Sequence, residues 1–165
     1  MAQLHEKLAA SLRTLQSLQA QGRHVVRSDD LSRLHRERLV ASGFLEEIIK
    51  GWYVITRPDD QPGDSTAWYV GFHEFISLYC TGRFGNEWYL SPESSLLQHV
   101  GATAIQPQVI VHAREGKNNK LDLPFNTFLI DYRAKDFASP NDVVVVDYKQ
   151  AVMCVTSGWV DAGVK

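Results

Sequence analysis

The chain has 165 residues, 44% of them hydrophobic and 22% charged, which is enough for one domain or two small ones and too little for a large multidomain enzyme. Four Trp, six Tyr and seven Phe exclude a disordered chain, and the lack of any long uninterrupted apolar run excludes a membrane-spanning helix. The net charge of −2 hides an asymmetry: residues 1–57 carry nine Lys/Arg against six Asp/Glu, a balance of +3, and the remainder stands at −5, as expected where one part meets phosphates and the other a protein.

The opening segment places Leu4, Leu8, Leu12, Leu15 and Leu18 at steps of four and three, predicting an amphipathic helix closed by Gly22. Its mixture of polar and apolar residues is unlike a secretory signal, which predicts a cytoplasmic protein. A short extended piece, His24 to Arg27, leads to Ser28, read as the N-cap of a short second helix with Asp29 and Asp30 in its first turn and Leu31 and Leu34 as its buried edge. A third helix is expected from His35 to Ser42, ended by Gly43. Two β-prone runs, Phe44–Ile49 and Trp52–Thr56, flank Lys50-Gly51 and predict a hairpin. Three helices and a hairpin within 57 residues is the order of a winged helix-turn-helix, whose third helix enters the major groove of DNA.

Residues 58–65 fall within the turn-rich stretch RPDDQPGDST and read as a linker. Beyond it, residues 66–165 predict a small α+β domain: a helix capped by Ser65 or Thr66 and running to about Thr81, then a strand at Trp88–Leu90. A helix follows that is N-capped by Ser91 with Pro92 in its first position. A strand at Val109–Ala113, a turn at Lys117–Lys120, one or two strands across Leu121–Tyr132 broken at Pro124, and a strand over Val143–Tyr148 complete a mostly antiparallel sheet.

No Walker loop, GxGxxG, HExxH or paired CxxC occurs, and the six His residues have no metal-ligand spacing. A non-enzymatic protein with no cofactor and no metal is expected. Cys80 and Cys154 stand apart in apolar company, which suits buried free thiols. Ser91, Glu93, Ser94 and His99 invite a nucleophile reading, but a helix cap accounts for them. The chemistry that remains is basic: Arg27, Arg33, His35, Arg36 and Arg38 lie on or beside the second and third helices and Lys50 on the wing, where guanidinium forks and an ammonium would meet phosphates and guanine edges.

The stretches VVRSDDLSRLHRERLVASGFLEEIIKGWYVIT, TAWYVGFHEFISLYC and WYLSPESSLLQHVGATAIQPQVIVH resemble the AbiEi family of antitoxins and transcriptional regulators from type IV toxin-antitoxin systems, and the related modules that precede some bacterial Fic proteins. The resemblance spans about residues 22–135 and rests most on the IKGWY and YLSPESSLLQH pieces. It implies a winged helix binding repeats in its own promoter, and a C-terminal domain that opposes a nucleotidyltransferase-like or Fic toxin. The Fic motif HxFx(D/E)GNGR and the inhibitory pattern (S/T)xxxE(G/N) are absent. The expectation is therefore a DNA-binding regulator with partners in duplex DNA and a toxin and none in the membrane. The alternatives are a protein-interaction module with no DNA binding and, for the second domain, a homodimerisation role.

Overall fold

The leucine ladder folds as one long helix, α1 (Ala2–Ala20), in a computed structural model that describes residues 2–102, 104–146 and 152–155. Leu15 is the turn of that ladder that reaches the core, and Leu4, nearest the N-terminus, is 65% exposed. The helix closes as expected around Gly22, with the Arg23 N–H returning to the Leu18 carbonyl at 3.2 Å. The fold is α+β, and the chain divides into two units, Met1–Gly71 and Phe72–Lys165.

In the first unit α1 is followed by β1 (Val25–Arg27), a single 3-10 turn (Ser28–Asp30), α2 (Arg33–Ala41), β2 (Leu45–Ile49) and β3 (Trp52–Ile55). The strands form an antiparallel sheet in the order β1-β3-β2. The expected hairpin is present: Gly51 at its tip has φ +85°, a conformation that a side chain would oppose. Leu15, Val26, Leu31, Leu39 and Leu45 make one core, each near-fully buried, and burial of each such side chain is worth about 1.5–3 kcal/mol.

The second helix is corrected. Ser28 does not cap a helix that includes Leu34; the segment makes one 3-10 turn and then Leu31 becomes extended, with φ −132° and ψ 148°. Asp30 is the reason. Its carboxylate accepts the Arg27 N–H at 2.8 Å and an Arg23 guanidinium N–H at 2.7 Å, tying the turn back to β1. Leu31 drops into the core, Ser32 caps α2 by accepting the His35 N–H, and Leu34 is left 57% exposed.

α3 (Thr66–Phe84) begins in the first unit. At its start the Ser65 carbonyl accepts the Tyr69 N–H at 3.0 Å and the Asp64 carboxylate accepts the Thr66 N–H at 2.8 Å, and bonds to the Thr66 hydroxyl and amide hold Asp64 below the usual carboxylate range. A Cβ at Gly71 would lie 3.0 Å from a Val25 methyl and 3.4 Å from one of Val54, so a side chain there would crowd the packing of the first turns of α3 on β1 and β3.

The second unit continues α3 and adds β4 (Trp88–Leu90), α4 (Pro92–His99), β5 (Gln108–Ala113), β6 (Asn119–Leu123), β7 (Thr127–Arg133), a 3-10 turn at Pro140–Asp142, β8 (Val143–Val146) and β9 (Val152–Val155). Ser91 caps α4 by accepting the Ser94 N–H at 3.3 Å, with Pro92 in the first turn, as the sequence predicts. β4-β5-β7-β6 is a four-stranded sheet in which β5 and β7 run parallel and the other neighbours antiparallel. Asn119 and Lys120, expected in a turn, are the first residues of β6, in register with Asp131 and Ile130 of β7, and the Asp131 carboxylate accepts the Asn119 N–H at 2.6 Å. Asp147 and Tyr148, the end of the strand expected over Val143–Tyr148, lie outside the described residues.

Phe72, Phe75, Ile76, Cys80, Trp88, Val111 and Leu129 are buried in this unit. Cys80 and Cys154 are free and buried, and burial, reinforced by the Asp131 charge, pushes the Cys80 thiol far above its ordinary value, which makes it an inert packing group. Arg83 of α3 pairs with Asp131 at 3.2 Å. Ser95 donates to the Leu90 carbonyl at 3.0 Å and accepts the Val155 N–H at 3.3 Å, and His99 pairs with the Val155 carbonyl, so α4 holds β9 in place.

His112 of β5 stacks on Tyr89 at 5.6 Å and meets Tyr132 edge-on at 6.4 Å. Burial pushes its imidazole below the ordinary 6.5, with Glu93 acting the other way. The unfolded chain therefore takes up this proton first as pH falls. The contribution is complete above about pH 6.5 and is lost progressively below it. Thermal unfolding followed from pH 8 to pH 5 should show a loss of stability on the acid side that is smaller in His112→Gln; identical pH profiles for the two proteins would contradict the assignment.

Candidate nucleic-acid interface

The candidate interface is α2 with the hairpin beside it. Nine residues make about two and a half turns, too short for a helix to persist alone, so contacts made by its side chains hold it. Leu39 enters the core, fully buried. His35 Nδ1 shares a 2.7 Å hydrogen bond with Ser11 of α1. Arg38 donates to the Lys7 carbonyl at 3.4 Å, and Arg36 donates to the Ser28 carbonyl at 2.8 Å.

These anchors sort the six basic residues that the sequence singles out. Arg36 and His35 are partly buried and engaged with the rest of the unit, and Arg38 reaches back to α1. Arg36 also acts on Tyr53: burial first, then the Glu47 carboxylate opposite it on β2, raise the Tyr53 hydroxyl, and the Arg36 guanidinium counteracts them. Arg27 faces Trp52 across the β1-β3 ladder, its guanidinium 5.0 Å from the ring centre, a stacking that fixes the guanidinium plane beside the hairpin. Arg33 projects outward with its side chain 83% exposed, held by Glu37 one turn on at 2.7 Å. The pairing keeps Glu37 below the ordinary carboxylate range through its hydrogen bond and charge, but at full exposure it constrains geometry more than stability. Lys50 stands exposed at the hairpin tip.

Sequence reasoning missed three features. Trp52 reads as a strand residue, and its role beneath Arg27 follows only from the register. Leu34 and Val40, 57% and 40% exposed, add apolar surface to α2; Leu34 is there because it falls in the first turn of α2 and not in the expected second helix. The local basicity is also confined: Asp59, Asp60 and Asp64 bring Met1–Gly71 to nine Lys/Arg and nine Asp/Glu.

A hollow of about 520 Å³ in the same unit is lined by Arg23, His24, Arg57, Asp60 and Asp64 among others. Several of those groups are already engaged locally, Asp60 with the Arg57 N–H at 2.9 Å, Asp64 with Thr66 and Arg23 with Asp30. Among the described residues no helix is long and apolar enough to cross a membrane, and no group of three or more His, Cys, Asp or Glu could hold a metal ion. Comparison with protein-family models, curated proteins and solved structures gave no match.

Two variants separate anchor from reader. Arg36→Ala leaves the Ser28 carbonyl without its guanidinium and should cost about 0.5–1.5 kcal/mol in denaturant unfolding. Arg33→Ala, at the surface, should stay within about 0.5 kcal/mol of the parent. A larger loss for Arg33→Ala than for Arg36→Ala would reverse the assignment.

Proposed function

We propose that Met1–Gly71 is a winged-helix DNA-binding module of a non-enzymatic transcriptional regulator of the AbiEi antitoxin type, with α2 as the reading helix and the β2-β3 hairpin as the wing. The observation that carries this reading is the strand order β1-β3-β2 with α2 placed between β1 and β2 in the chain and the hairpin next to it. It is supported by the outward projection of Arg33 from the first turn of α2 and by the exposure of Lys50 at the tip, since the N-terminal residues of such a helix meet base edges and a wing meets the backbone. Arg33 suits a guanine edge or a phosphate, and Leu34 beside it suits a thymine methyl.

A second reading has its own support. The exposed Leu34 and Val40, together with the equal numbers of acids and bases in this unit, suit a protein surface as partner, which would make the chain a regulatory module for a toxin of the Fic or nucleotidyltransferase kind. The second unit, acidic in balance, is on either reading the part assigned to a protein partner, cytoplasmic like the regulator itself.

Mobility-shift titrations with duplex DNA carrying the protein's own promoter decide between the two. Arg33→Ala should weaken binding by about 1–3 kcal/mol if it reads a base. Lys50→Ala should weaken all sequences alike and reduce the dependence of log affinity on log salt by about one unit. No binding to any duplex, or binding indifferent to both substitutions, would remove the DNA reading and leave the protein one.

A further inference from the structure

We propose that strand β6, the edge of the four-stranded sheet among the described residues, is a homodimer interface in which two copies of Asn119–Leu123 pair antiparallel about Leu121 and join the two sheets into one of eight strands.

The two edges of the sheet differ. β4 is flanked by β9, with Tyr89 and Val155 in one buried cluster. β6, among the described residues, has β7 alone as its hydrogen-bonded neighbour. It pairs with β7 residue for residue from Asn119↔Asp131 to Leu123↔Thr127, with no bulge, and no proline interrupts it. A straight edge of this kind presents a row of backbone donors and acceptors to another strand unless bulges, prolines or uncompensated charges guard it. The one lysine on the edge is not uncompensated: Lys120 Nζ lies 3.3 Å from the Asp122 carboxylate, with both side chains more than half exposed.

The charge pattern selects both the partner and the register. Lys120 and Asp122 lie on the outer face of the sheet, opposite Ile130 and Phe128, whereas Leu121 and Leu123 lie on the inner face opposite Leu129 and Thr127. A two-fold axis that pairs two β6 strands antiparallel runs perpendicular to the sheet, so each copy keeps its faces, and registers that slip by one residue would set an inward residue against an outward one. Of the registers that remain, pairing about Leu121 puts Lys120 of each copy opposite Asp122 of the other. Pairing about Lys120 puts two lysines together, and pairing about Asp122 two aspartates. Opposite charges across a strand pair stabilise it and like charges oppose it, so five residues specify a self-complementary, two-fold contact. Beside it, Lys120 Nζ lies 4.4 Å from the Phe128 ring centre within the same copy, a contact that holds the lysine over the outer face of the edge.

Sedimentation velocity of the whole protein over the micromolar range tests this without DNA, so it can fail or succeed independently of the DNA-binding reading. The parent should be a reversible dimer. K120D and D122K should each raise the dissociation constant about tenfold or more, since each reversal sets two like-charge pairs across the axis, and the double swap K120D/D122K should restore the parental value. Far-UV circular dichroism reports whether each variant is folded, and amide exchange on the parent supplies a measure that needs no variant: the amides of 119–123 should gain protection as concentration rises. A monomer throughout, a dimer indifferent to both single reversals, or a folded double swap that stays monomeric would overturn the proposal, as would exchange at 119–123 that does not change with concentration, which would point to a foreign strand as the edge's partner.

Discussion

The placement of α2 rests on the hydrogen bond from Arg36 to the Ser28 carbonyl and on its companion between His35 and Ser11. A nine-residue helix contributes little stability of its own, and the single buried Leu39 fixes its depth but not its rotation. The two polar contacts, with Arg38 reaching α1, fix which face turns inward. They spend three of the basic side chains that the sequence offers as DNA contacts, and leave Arg33 and Lys50 as the exposed cations of the helix and hairpin. Mutating the arginines nearest the helix centre would thus disturb structure before it disturbed recognition.

The same economy governs the rest of the first unit. Asp30 restrains the chain after β1, and in doing so shortens the expected second helix to one turn and releases Leu31 into the core. Arg27 stacks on Trp52 and holds the base of the hairpin. With acids and bases in equal number, this unit has no net field with which to steer a polyanion. Its proposed attraction for DNA is therefore local, set by where Arg33, Lys50 and Arg27 are held. The exposed acids on β2, Glu46 and Glu47, add a means of rejecting a wrong approach.

Local signals were legible in the sequence and non-local ones were not. The cap of α4 could be read from Ser91, Pro92 and Ser94 because a cap involves four consecutive residues, and the hairpin from Lys50-Gly51 because only glycine takes its tip conformation without strain. The false second helix came from Ser28, Asp29 and Asp30, a good N-cap by composition; what overrides it is the engagement of Asp30 by Arg23 and by the Arg27 amide, contacts set by tertiary packing. The parallel pairing of β5 with β7 joins strands that β6 separates in the chain, and nothing in the hydrophobic alternation of either strand encodes it. In the candidate interface the helix and its basic residues were legible, but the division of those residues between anchoring and exposure was not, because it depends on Ser11, Lys7 and Ser28 lying within reach of α2.

The central claim, that α2 and the hairpin tip form one exposed surface for duplex DNA while the inner arginine holds the helix, is tested most directly by following backbone amide resonances of the whole protein during titration with promoter duplex. The account predicts that shifts concentrate at Ser32–Glu37 and Ile49–Trp52 and weaken with salt. Shifts confined to residues 72–146, or none at any ratio of DNA to protein, would contradict it.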